Sequence, residues 1–195
     1  VGRALIDCVY GPIKSGKSRL VEALIATCDR PCVVIDYLAD LSDDPLVVPP
    51  VHDVVRLGAR GGREGFRAAI ELAAAECYQA GSRVLVVDEL DLAVYKGESL
   101  AFELPGFYEY ISTARHRDCG LILATRRPAA IPPDVRDIAT DLHVFRQDAD
   151  NALRYFADLG IDPSLLTALP GHAYVHRRSG SHHVHRTLWA PCTQE

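Results

Sequence analysis

The sequence predicts an α/β protein, a mainly parallel sheet flanked by helices that ends in a short β-hairpin. Three observations carry this. Short, almost wholly apolar runs recur along the 195 residues. Between them lie longer segments whose apolar residues fall at helical spacing. Near the C-terminus, two alternating runs flank Ser179-Gly180-Ser181, a hairpin pattern. Strands buried on both faces read as continuous apolar runs, so the alternation argues for a parallel sheet covered by helices.

Ala4 to Tyr10 forms the first strand, closed by Gly11. Leu20, Val21, Leu24, Ile25 and Cys28 mark one face of a helix from Lys17 to Cys28. Cys32 to Asp36 is a second buried strand. Residues 37–50, with Asp43-Asp44-Pro45 and Pro49-Pro50, read as a loop, and Val54 to Leu57 as a short strand. Phe66, Ala69, Ile70, Ala73 and Cys77 line an Ala-rich helix from Glu64 to Gln79, ended by Gly81. Val84 to Val87 is a strand, Leu92 to Pro105 is irregular, and Phe107 to Arg115 is helical. Leu121 to Ala124 and Leu142 to Phe145 are further buried strands. Asp148 to Leu159 is an amphipathic helix, and Ala173 to His176 pairs with Val184 to Trp189. No repeat or low-complexity linker interrupts the chain. A single domain over 1–195 is expected, with the hairpin at about 170–190 as its appendage.

Composition narrows the function classes. With 48% hydrophobic and 24% charged residues, the chain is neither disordered nor collagen-like. No apolar run approaches the ~18 residues of a membrane span. No long apolar stretch opens the chain, so no signal peptide is expected. A net charge of −5 argues against indiscriminate coating of nucleic acid. The tail is locally basic: residues 163–194 hold Arg177, Arg178 and Arg186, five histidines and no acid. Such a face could touch phosphates. The six cysteines include no C-x-x-C pair and read as free thiols in a reducing compartment. His182-His183-x-His185 invites a zinc reading. On a strand, however, 183 and 185 share a face that 182 opposes, and no acid or Cys lies nearby. It reads as a basic hairpin face.

Gly11-Pro12-Ile13-Lys14-Ser15-Gly16-Lys17-Ser18 fits G-x-x-x-x-G-K-[ST], with a strand before it and an amphipathic helix after. Glycines let successive backbone N–H groups turn inward onto phosphate oxygens, and the helix N-terminus adds its positive dipole end. The cradle would run from Gly11 to Arg19 around ATP. Lys17 would reach the β- and γ-phosphates, and the Ser18 hydroxyl would ligate Mg²⁺. Asp88-Glu89 ends a buried strand, where an open α/β sheet meets its ligand. Asp88 would hold the metal and Glu89 would activate the attacking water. Asp91 reads as a solvated acid at a helix start. Thr125-Arg126-Arg127-Pro128 ends another buried strand, which could aim a cation at the γ-phosphate.

The phosphate loop, Asp88-Glu89, Arg115-His116-x-x-x-Gly120, Thr125-Arg126-Arg127-Pro128 and the stretch from Ile131 to Phe145 together resemble the FtsK–HerA superfamily of DNA-pumping ATPases. Chain length and the late hairpin are most similar to genome-packaging ATPases of tailless icosahedral viruses with an internal membrane, of the archaeal turreted type. The resemblance implies a RecA-like (ASCE) P-loop NTPase core that hydrolyses Mg²⁺-ATP. It also implies a ring, often a hexamer, around double-stranded DNA. Work in the host cytoplasm or on the virion, beside a capsid vertex or membrane protein, would follow. Carried over by motif, Lys17 and Ser18 belong to the first nucleotide motif, Asp88 to the metal and Glu89 to the base. The family's usual Gln after Thr125 is here Arg126, which removes the ordinary sensor or makes it cationic. An arginine finger from the neighbouring subunit would be Arg115 or Arg117. Arg177, Arg178 and Arg186 are the candidate DNA contacts.

Other readings share parts of this pattern. Small zinc-containing thymidine kinases carry a similar Gly-Pro-x-x-Ser-Gly-Lys-Ser loop, but also two C-x-x-C pairs that this chain lacks. Filamentous-phage assembly ATPases of the zonula-occludens-toxin type share the core and usually add a membrane span. A nucleotide-gated binding module would not need Glu89.

Overall fold

The computed structural model describes residues 6–39, 41, 53–56, 61–95, 97–128, 131, 133–178 and 181–186. Strand β1 (Ile6–Tyr10) leads through the phosphate loop into helix α1 (Lys17–Ala26), then β2 (Cys32–Asp36) and β3 (Asp53–Arg56). Helix α2 (Gly62–Ala80) returns to β4 (Val84–Val87). A 3-10 turn at Leu90–Leu92 and two helices, α3 (Leu100–Glu103) and α4 (Pro105–Thr113), precede a second 3-10 turn at Ala114–Arg117. The chain continues as β5 (Gly120–Thr125), α5 (Pro133–Ile138), β6 (Asp141–Phe145), α6 (Asp150–Asp158) and α7 (Pro163–Ala168). It closes as the hairpin β7 (Ala173–Arg178) and β8 (Ser181–Arg186).

All eight strands form one sheet, in the order β3-β2-β4-β5-β1-β6-β7-β8. The first six are parallel and the last two antiparallel. Alternate residues of the central strands feed two cores, as the period-2 pleat requires. Cys8, Tyr10, Val33, Ile35, Leu85, Leu121 and Leu123 face α2, α4 and α6, packing on Phe66, Ile70, Phe107 and Phe156. Val9, Val34, Val86, Ile122 and Ala124 face α1, packing on Leu20, Val21 and Ile25. A buried carboxylate links two of these helices: Glu71 accepts the backbone N–H groups of Gly106 and Phe107 at 2.9 and 3.1 Å. Those donors lie in the first turn of α4 and have no partner within their helix.

The strand order positions the site. β5 lies between β1 and β4, so the loops at the C-terminal ends of three adjacent strands converge on one place. The hairpin is hydrogen-bonded to β6 and extends the same sheet.

Most expected elements are present with ends moved by one to four residues. α3 breaks the stretch expected to be irregular, while α5 and α7 are additional. All three have six residues or fewer, too few to display helical periodicity. Asp162-Pro163 did mark α7: the Asp162 carboxylate accepts the Ser164 N–H at 2.8 Å and Pro163 opens the helix. Most of the 37–50 loop, the Ser179-Gly180 turn, the expected strand residues 187–189 and Cys192 lie outside the described residues. The other five cysteines are free. No helix among the described residues is long and apolar enough to cross a membrane.

Candidate active site

The phosphate loop is held at both ends by backbone bonds. Gly11 N–H donates to the Thr125 carbonyl at 3.2 Å, tying the loop to the tip of β5, and Leu20 N–H reaches the Gly16 carbonyl at 3.0 Å. Gly16, just before α1, sits at φ 100°, a conformation side chains resist. A Cβ on Gly11 would stand 2.4 Å from Ser15 Oγ, so only glycine lets the loop fold back there. The resulting cavity, about 400 Å³, is lined by residues 12–14 and 16–19 with Leu38, Glu89, Arg126 and His172. Within it, the exposed Arg19 pairs with Glu22 one turn on.

Lys17 is buried and points at the acids of β4. Its Nζ lies 2.5 Å from Glu89 Oε1 and 3.6 Å from Asp88 Oδ1. Burial works against its charge, but Asp88 and Glu89 outweigh that and hold its pKa above the ordinary value. The acids show the converse. Burial raises the pKa of both Asp88 and Glu89, more than Lys17 lowers it. Glu89 has φ 60°, left-handed and costly for a side-chain-bearing residue. That turn swings its carboxylate from the strand end toward the loop, while its N–H donates to Asp88 Oδ1 at 3.0 Å.

Arg126 completes the cluster from β5. Its Nε is 2.8 Å from Glu89 Oε2, and its Nη2 is 3.5 Å from Asp91 Oδ2. Asp91 is therefore no solvated acid. It is buried, and it accepts the Thr125 hydroxyl at 2.9 Å and the Arg126 N–H at 3.2 Å. The sequence reading missed this because position 91 meets 125 only through the β4–β5 pairing. Arg126 and Pro12 also line a second cavity of about 470 Å³, on the far side of the loop and bordered by Asp91, Tyr95 and Arg146. His172 was missed as well: its Nδ1 lies 3.2 Å from the Ser15 carbonyl, and no motif marks it.

The remaining candidates lie elsewhere. Arg117 precedes β5, at the end opposite Thr125. Six strand residues, ~20 Å, separate it from its own phosphate loop. It donates to the carbonyls of Tyr78 and Gln79, both at 3.1 Å. The side chains of Arg115 and Arg186 lie outside the described part of the structure. Arg177 and Arg178 alternate along β7 and point to opposite faces. Arg178 meets Asp141 at 2.6 Å, beside His176 at 2.7 Å, yet stays half-exposed. The hairpin imidazoles form a row of ring contacts with His143: His143 stacks on His176 at 4.5 Å, and His176 meets His185 at 5.3 Å.

The arrangement can grip a polyphosphate, place a buried carboxylate beside its end and offer two cations there. The oxygen donors Ser18 and Asp88 suit Mg²⁺, a hard cation.

No curated protein matches the chain. Among solved structures, the genome packaging NTPase B204 of Sulfolobus turreted icosahedral virus 2, in complex with sulfate, superposes with a TM-score of 0.73. That match has 20% identity and covers 94% of this chain and 96% of that one. The same NTPase in complex with AMPPCP gives 0.69, at 20% identity and 96% and 99% coverage. The N-terminal domain of zonular occludens toxin from Neisseria meningitidis gives 0.55, at 13% identity and 94% coverage of both chains. These likenesses establish a shared P-loop NTPase fold. The sequence profile of the ATPase family associated with various cellular activities (AAA) matches residues 8–146, from β1 through β6. With the phosphate loop, the acid pair and the third strand tip all inside that span, the chain belongs to this family of ATPases.

Proposed function

We propose that this ATPase is a motor of the FtsK–HerA type that moves double-stranded DNA, and that it packages a viral genome into a preformed capsid. The observation carrying the reading is the length of the correspondence with the packaging NTPase, 94% of one chain and 96% of the other. A site in the host cytoplasm, against a capsid vertex or a virion membrane protein, goes with that reading.

In this proposal residues 11–19 cradle the triphosphate and Lys17 neutralises its β- and γ-oxygens. Ser18 and Asp88 hold Mg²⁺, which bridges phosphate oxygens and offsets developing charge. Lys17 leaves Glu89 for the incoming phosphates, and that frees a carboxylate whose burial-raised pKa makes it a stronger base. Glu89 then takes the proton of the attacking water. Arg126 supplies positive charge within the subunit. Arg117 is too far along β5 to serve its own site, so it or Arg115 would complete a neighbour's in a head-to-tail ring, taken as a hexamer. The hairpin arginines Arg177, Arg178 and Arg186 remain the candidate DNA contacts, with the two faces of β7 to be tested separately.

The test measures ATP hydrolysis with and without duplex DNA, alongside sedimentation in Mg²⁺ and a non-hydrolysable analogue. Stimulation by DNA and a ring-sized species are expected. Arg117→Ala or Arg115→Ala subunits mixed with Glu89→Gln subunits should recover activity, since one intact site forms between them. A monomer whose specific activity ignores both DNA and protein concentration would refute the proposal, as would phosphorylation of thymidine.

A further inference from the structure

One carboxylate joins the turn after β4 to the tip of β5. Asp91 Oδ1 accepts both the Thr125 hydroxyl and the Arg126 N–H. Its other oxygen faces guanidinium groups, 3.5 Å from Arg126 Nη2 and 4.0 Å from Arg127 Nε. Arg127 is 75% exposed and contributes little there. The Asp91 side chain is 1% exposed, and its Oδ2 has no hydrogen bond. Two other buried atoms at the same place lack one as well: Arg126 Nε and Glu89 Oε2, although only 2.8 Å apart. The charges meet, but the donor and lone-pair directions are not used up. Arg126 is therefore held between two acids with bonding capacity left over, at a wall shared by both cavities.

We infer that Asp91 is a positioning residue of the hydrolytic site: it pins the tip of β5 and aims the Arg126 guanidinium past Glu89 at the terminal phosphate. The inference rests on the proposal that Arg126 supplies charge to that phosphate. An arginine has four rotatable side-chain bonds and scans a wide volume unless something fixes it. A carboxylate on one edge fixes it and leaves the other edge for a ligand. Without the charge at 91, Glu89 is the remaining acid beside Arg126. The guanidinium then settles on the base and covers the lone pairs that the attacking water needs.

The test uses Asp91→Asn, Arg126→Ala and the double variant in the full chain. Asparagine keeps an oxygen acceptor for Thr125 and the Arg126 N–H, and removes only the charge. Thermal melting, binding of ADP and of ATPγS with Mg²⁺, kcat and KM are measured. Arg126→Ala should cut the preference for ATPγS over ADP about tenfold, equivalent to ~1.4 kcal/mol. Asp91→Asn should cut it in the same direction, about three- to tenfold, with kcat down at least about tenfold and KM nearly unchanged. In the Arg126→Ala background, Asp91→Asn should change kcat less than about twofold. Thr125→Val removes a hydroxyl donor from Asp91 but keeps the charge. It should give the same pattern more weakly, and it carries the comparison if Asp91→Asn melts early. Equal losses in ADP and ATPγS binding, or fully multiplicative kcat losses in the double variant, overturn the inference and leave Arg126 in place. If Arg126→Ala alters neither preference nor kcat, the Arg126 reading fails, and Asp91 has nothing to aim.

Discussion

Lys17 has a structural task that can be measured without nucleotide. Its ammonium stands 2.5 Å from Glu89 Oε1 and 3.6 Å from Asp88 Oδ1, and all three side chains are buried. Lys17→Met keeps the bulk of the stem and deletes the charge, which strands two carboxylates. Removing one partner of a buried ion pair costs about 3–5 kcal/mol. Arg126 still covers Glu89 Oε2 at 2.8 Å, so the low end, about 3 kcal/mol, is expected. In a chain of this length that is roughly 6–12 °C of Tm. The pH dependence has a definite sign. Burial already raises both carboxyl pKa values above their unfolded values, and losing Lys17 raises them further. A group with a raised folded pKa stabilises when protonated and loses that contribution as pH climbs through the folded value. The Lys17→Met deficit should therefore be full at about pH 8 and shrink toward about pH 5 as the acids take up protons. Adding Glu89→Gln removes one stranded charge and should restore about half. Fluorimetric melting of the four variants at both pH values, without nucleotide, checks this. A Lys17→Met melt within about 1 °C of the parent at pH 8 refutes the reasoning, as does further destabilisation by Glu89→Gln.

Glu89→Gln in the otherwise intact chain should bind ATP normally and lose about 10²–10⁴ in kcat, because the amide cannot take a proton; single-turnover hydrolysis checks it, and an unchanged rate rejects the base. Asp141 clips β6 to β7. Burial opposes its ionisation, but hydrogen bonds from Arg178 and His176 outweigh that and depress its pKa. Its stabilisation is therefore present above the ordinary carboxylate pKa of about 3.9 and disappears as pH falls through the lower folded value. The melting gap between parent and Asp141→Asn should be open at about pH 7 and narrow below about pH 4. A gap that persists in acid assigns the effect to packing.

The sequence by itself determined the elements whose signals are local. Buried parallel strands need near-continuous apolar runs, so β1, β2, β4, β5 and β6 were legible, and α2 was long enough to display its apolar stripe. The phosphate loop was legible for the same reason: its chemistry depends on glycines and a lysine at fixed spacing within eight residues. Asp88-Glu89 and Arg126 were legible as strand-end residues, and the opposite faces of Arg177 and Arg178 follow from strand alternation once β7 is known to include both. Only the tertiary structure decided which strand ends meet. Placing β5 between β1 and β4 brings Arg126 onto Glu89 and turns Asp91 from an apparent surface acid into a buried anchor. The same holds for His172, which reaches the Ser15 carbonyl across 157 residues, and for Arg117, which the strand direction carries to the far end of the sheet. These contacts are set by lateral strand order. That order follows from how all the apolar faces pack at once, and no local window of sequence contains it.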